Sequence, residues 1–124
     1  TMGVLGTLMV LIVGLLHVGF MILEMFLWQE PSVIVRFGMT PEQAAASAKL
    51  AANQGLYNGL LAAGLFWSAF ARDGYRLKVF FLTCVILAGI FGALTAKISI
   101  LYVQAAPAAL ALLLVWLGAG REDA

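Results

Sequence analysis

The twelve residues HVGFMILEMFLW, 17–28, decide the fold of this chain. They close an apolar run that begins at Met2 and is long enough to cross a bilayer as a helix. A helix turns about 100° per residue, so positions seven apart drift by only about 20°. His17, Met21, Glu24 and Trp28 therefore share one face, while Leu15, Leu16, Val18, Phe20, Ile22, Leu23, Phe26 and Leu27 around them are apolar. An ionisable side chain inside such a span costs a few kcal/mol or more, so it turns to the bundle interior and takes a partner. The stretch predicts a membrane protein with a buried polar site.

Composition points the same way. Of 124 residues, 64% are hydrophobic and 10% charged, the balance of a membrane chain of one-domain length. Seven Lys and Arg stand against six Asp and Glu, which leaves no electrostatic footprint for nucleic acid. The lone cysteine, Cys84, lies in an apolar run, excludes a disulfide framework within the chain and reads as a small buried hydrophobe. No Lys or Arg precedes Arg36, and a secretory signal needs a positive n-region; the first apolar stretch therefore reads as a retained span. No metal or other cofactor is expected. His17 is the only histidine, it lies two turns from Glu24, and zinc sites need three or four strong ligands. Ser47, Ser68, Ser99 and Cys84 differ from His17 in depth or helix face, which argues against a nucleophilic triad.

Four spans fit the hydropathy: residues 2–28, 41–71, a third from 76 to either 96 or 103, and a fourth from 100 or 105 to 118. They predict an all-α, integral membrane four-helix bundle in a single transmembrane domain, 1–124. After Trp28, Pro31 and nearby charge stop the first helix, and Val33, Ile34, Val35 and Phe37 place the linker in the membrane interface. Thr40-Pro41-Glu42-Gln43 is a helix start, with Thr40 as cap, Pro41 in the first turn and Gln43 completing a capping box. Nothing breaks the pattern before Arg72-Asp73-Gly74. The second helix is therefore extended, about 46 Å long against a hydrocarbon core of about 30 Å, and its Ala-rich beginning should project from the bilayer or tilt.

The third helix has two possible ends. It stops at Thr95-Ala96-Lys97-Ile98-Ser99, with the fourth span kinked at Pro107, or it runs to about Val103 and hands over near Gln104-Ala105-Ala106-Pro107. The second alternative is preferred, because Pro suits a first turn and neither Gly nor Pro marks the earlier break. Residues 118–124 read as a polar, frayed end.

Interfacial aromatics fit alternating spans, with Trp28 and Tyr102 at one face and Trp67, Tyr75 and Trp116 at the other. Arg72, Arg76, Lys78 and Arg121 fall on the second face, against Arg36, Lys49 and Lys97 toward the first. The positive-inside rule then puts both termini in the cytoplasm. Small residues recur every four positions, as Ala51, Gly55, Gly59 and Ala63 on the second helix and Ala88, Gly92 and Ala96 on the third. Such faces let membrane helices approach closely, and they predict that these two helices pack against each other.

The second helix also carries Asn53-Gln54-Gly55-Leu56-Tyr57-Asn58, where Asn53 and Tyr57, and Gln54 and Asn58, stack at i, i+4. Counting depth from the helix ends puts Glu24, Asn53, Gln54 and Lys97 in one layer. His17, Tyr57 and Asn58 form a second layer about two turns deeper. With Trp28, these residues make up the candidate site.

His17 with Glu24 and Trp28, the string Asn53-Gln54-Gly55-Leu56-Tyr57-Asn58-Gly59, and Gln104-Ala105-Ala106-Pro107-Ala108-Ala109-Leu110 resemble a family of small bacterial integral membrane proteins catalogued as domain of unknown function 1304. The resemblance covers nearly the whole chain. It implies a four-helix protein of the bacterial inner membrane and makes the layered residues family hallmarks, with no activity to carry over.

Three functions remain open at this level. One is a protein that binds or transports a small amphipathic molecule or cation in a midplane polar cavity, with Glu24 as the charged contact; Gln54, Tyr57, Asn58 and His17 supply orienting hydrogen bonds. Four spans barely enclose a pathway, so this version predicts a homo-oligomer. Another is a membrane-embedded isomerase or hydrolase on a lipophilic substrate, with Glu24 moving a proton and His17 or Tyr57 polarising the substrate. The third is a structural or assembly subunit, in which the polar layers only tie helices together.

Overall fold

Local sequence signals account for most of the helix boundaries. The computed structural model describes residues 1–122, and its order is α1 (Met2–Phe26), α2 (Pro31–Arg36), α3 (Pro41–Phe70), α4 (Gly74–Thr95), a π-helical turn (Leu101–Ala105) and α5 (Ala106–Glu122). No strand occurs among the described residues. Of the frayed end expected at 118–124, Asp123 and Ala124 lie outside them; Gly118 is buried within α5.

Among the described residues, three stretches are long and apolar enough to cross a membrane: Met2–Phe26, Gly74–Thr95 and Leu101–Ala119. The chain is thus a small multi-pass membrane protein. At 30 residues α3 is the longest helix, but Glu42, Gln43, Lys49, Asn53, Gln54 and Asn58 dilute its hydropathy, and it falls outside that set.

The chain divides into two compact units, residues 15–62 and residues 1–14 with 63–124. In the first, the capping box at the start of α3 forms as expected. The Thr40 N–H donates to Gln43 Oε1 at 2.8 Å, and the Gln43 N–H donates to Thr40 Oγ1 at 3.1 Å. The linker before it holds a short helix the sequence reading lacked. α1 has already closed at Phe26, and Pro31 opens α2, since its fixed φ and missing N–H suit a first helical position. Gly38 then turns the chain at φ 64°, a conformation that favours glycine.

In the second unit, α3 reverses into α4 at Arg72-Asp73. Any Cβ at Gly74 would fall 2.3 Å from the Ser68 carbonyl oxygen, so only glycine fits the turn. Buried Ser68 donates to the Leu65 carbonyl at 2.6 Å. Leu65, Leu82, Val85, Val10, Val13 and the alanines 105, 108 and 111 form the core.

The preferred end of the third helix, near Val103, is overturned: α4 stops at Thr95. Thr95 Oγ1 donates to the Phe91 carbonyl at 2.7 Å, and the Gly92 carbonyl accepts both the Ala96 and Lys97 N–H groups, at 2.8 and 3.0 Å. This closure uses ordinary backbone donors and needs no Gly or Pro. Pro107 lies just past the π-turn, in which the Ala106 N–H reaches back to the Leu101 carbonyl. Proline removes a donor and crowds the carbonyl four residues before it, and a locally widened turn is one way a helix absorbs that.

The small residues serve other neighbours than expected. Gly55 and Gly59 of α3 admit Met25 and Met21 of α1. Gly89 and Gly92 of α4 admit Ala105 and Ile100. Unbranched methionine fills a glycine notch readily, and the chain bend after Thr95 brings Ile100 back onto α4.

Candidate functional site

Residues 15–62 bring α1 and α3 together antiparallel along a ladder of named contacts. Glycine makes the approach possible: a Cβ at Gly59 would fall 2.5 Å from Met21 Sδ, and one at Gly55 2.6 Å from Met25 Cγ and 3.1 Å from Glu24 Cβ. Between these contacts the Asn58 amide Nδ2 donates to Glu24 Oε1 at 2.5 Å. Further along, Trp28 Nε1 donates to Ser47 Oγ at 3.0 Å, and Ser47 Oγ donates to the Gln43 carbonyl at 2.7 Å. The Trp28 ring lies 5.4 Å from that of Phe37, which follows α2. The end of α1, the end of α2 and the start of α3 are thus tied at one place.

This register corrects the layers expected from depth. Glu24 meets Asn58, not Asn53 and Gln54, because Met21 against Gly59 and Met25 against Gly55 set α3 about one turn away from the count made from the helix ends. Asn53, Gln54 and Tyr57 are exposed, Tyr57 by 59%. Lys97 is exposed in the bend after α4 and belongs to the other unit. His17 is 1% exposed and stands edge-on to Phe20, 5.2 Å between centroids. Seven residues separate it from Glu24, about 10 Å of helical rise.

Glu24 is the chemically distinctive member. It is half-buried, sits two residues before the end of α1 and receives its hydrogen bond from a neutral amide. A carboxylate in the last turn of a helix meets the negative end of the macrodipole, so its environment favours a compensating donor or cation. No Lys or Arg forms an ion pair with it among the described residues. Among the described residues, no group of three His, Cys, Asp or Glu is placed to hold a metal ion.

Sequence reasoning missed Ser47, Met25 and Phe37. A signal for Ser47 existed: Ser47, Ala51, Gly55 and Asn58 follow one another at helical spacing and mark a single face of α3.

Over residues 11–116 the chain matches the family described as "Protein of unknown function (DUF1304)", and it belongs to that family. No curated protein and no solved structure matches it. The matched stretch contains the whole ladder from Met21 to Asn58.

Proposed function

We propose that this member of the family binds a small amphipathic cation at Glu24, with Asn58 orienting the carboxylate and Trp28 closing one end of the site. The observation that carries the reading is the half-buried Glu24 carboxylate, held by a neutral amide with no cationic side chain paired to it among the described residues. One oxygen is engaged by Asn58; the other is the contact an ammonium head would take. Exposed Ile22, Phe26, Leu27, Leu56 and Leu60 in the same unit supply apolar surface for a tail.

In this reading α3 is a fourth span. Its Gly59 packs on Met21, and in the other unit its Phe66 fills the notch at Gly14; α3 therefore runs beside two stretches of an apolar span. The bundle has four crossings, both termini face the cytoplasm, and the membrane is the bacterial inner membrane. At 25 residues α1 is about 37 Å long, longer than the hydrocarbon core of about 30 Å. Glu24 then lies in the headgroup zone of the non-cytoplasmic face rather than at the midplane, and a ligand reaches it from the leaflet without crossing the bundle.

The test is a titration of the detergent-solubilised protein with dodecylammonium, with dodecanol as the uncharged control, read as thermal unfolding. A ligand that binds only the folded state raises Tm in a saturable way. Dodecylammonium should do so, dodecanol should not, and Glu24→Gln should abolish the shift. Equal shifts with both amphiphiles, or a shift that survives Glu24→Gln, rules the reading out.

A further inference from the structure

The N-terminal half of α4 carries a groove that the Glu24 site does not use. Tyr75, Val79, Thr83 and Leu87 form one i, i+4 ridge and Arg76 and Phe80 the next, and the channel between them holds about 480 Å³. From Tyr75 to Leu87 it runs twelve residues, about 18 Å along the helix. That is close to the depth of one leaflet, roughly half of a 30 Å hydrocarbon core. Its walls are almost wholly apolar except at one end, where Arg76 and the Tyr75 phenol stand. Arg72 and Lys78 add positive charge at the same turn, against Asp73 alone.

We propose that this groove seats an anionic phospholipid, with its phosphate at Arg76 and Tyr75 and one acyl chain along Val79, Phe80, Thr83 and Leu87. Three features select that occupant. The cationic end attracts an anionic headgroup, arginine suits phosphate oxygens with its forked donors, and the apolar length ends where a single leaflet ends. An apolar peptide or second helix would leave the cationic end uncompensated.

The test uses the full chain reconstituted in phosphatidylcholine vesicles with chain-spin-labelled phosphatidylglycerol or phosphatidylcholine. Electron paramagnetic resonance reads the motionally restricted lipid. The anionic label should be preferred about fivefold, the factor that one basic residue near an anionic surface gives. Arg76→Gln should cut that preference by at least half. Thr83→Trp, an exposed position whose new ring fills the groove, should cut it similarly, whereas Lys49→Gln should leave it intact. Equal restriction of both labels in the wild type overturns the proposal, and so does a preference untouched by Arg76→Gln. A preference lost in Arg76→Gln but kept in Thr83→Trp also overturns it, because that pattern means charge attraction without a seated chain.

Discussion

The α1–α3 seam of residues 15–62 and the α4–α5 seam of the other unit are closed by different means. Along the first, polar side chains alternate with methionines: Trp28 on Ser47, Met25 on Gly55, Glu24 on Asn58, Met21 on Gly59. Along the second, small residues and backbone meet directly, and a Cβ at Gly89 would fall 2.8 Å from both Ala105 Cβ and its backbone N. Gly118 approaches the Gly3 backbone in the same manner. One seam shows that this chain holds membrane helices together with close packing alone. The carboxylate and amide of the other seam are therefore more than its architecture needs, and that surplus is the argument for function at Glu24.

The contrast is most sharply broken by forcing side chains into both seams. Gly89→Leu must push rigid backbone aside, so it should cost about 3 kcal/mol or more. Gly59→Ala meets only the side chain of Met21, its Sδ first, and should cost well under half of that. Unfolding in detergent compares the two, and equal losses would erase the distinction between a rigid and an adaptable seam.

Next in size is Asn58→Leu. It leaves a half-buried carboxylate without its donor, a loss of about 1–3 kcal/mol. Glu24→Gln in the same chain should recover part of it, and the double-mutant cycle measures the coupling. Additive effects would mean that the two side chains do not act as a pair. The smallest effect belongs to Trp28→Phe, which keeps the ring and removes the bond to Ser47, at roughly 1 kcal/mol. The ring that closes one end of the site then loses its anchor, so the dodecylammonium shift should weaken without disappearing, whereas Glu24→Gln abolishes it.

Much of this was legible in the residues. The capping box at Thr40 and Gln43 depends on neighbours three apart and forms as its spacing predicts. The turn at Arg72-Asp73 and the apolar runs are equally local. Legibility failed where the determinant is a contact between distant residues. Helix ends gave the depth of Glu24 to within about a turn, but the choice of Asn58 over Asn53 and Gln54 rests on methionines entering Gly55 and Gly59. The small-residue stripes named the second and third helices as each other's neighbours, whereas Gly55 and Gly59 admit Met25 and Met21 of α1 and Gly92 admits Ile100. The stop at Thr95 carried no breaker because its hydrogen bonds come from threonine and main-chain groups. α2 was hidden because Pro31 reads as a helix stop and here opens a helix.

The central claim is that Glu24 holds a cationic amphiphile, and native mass spectrometry of gently solubilised protein beside its Glu24→Gln variant tests it most directly. The account predicts a discrete co-purified mass on the wild type, carrying an amine or quaternary ammonium, that is missing from the variant. A bare chain in both samples, or a mass retained equally by Glu24→Gln, would contradict it and leave the α1–α3 ladder as structural glue.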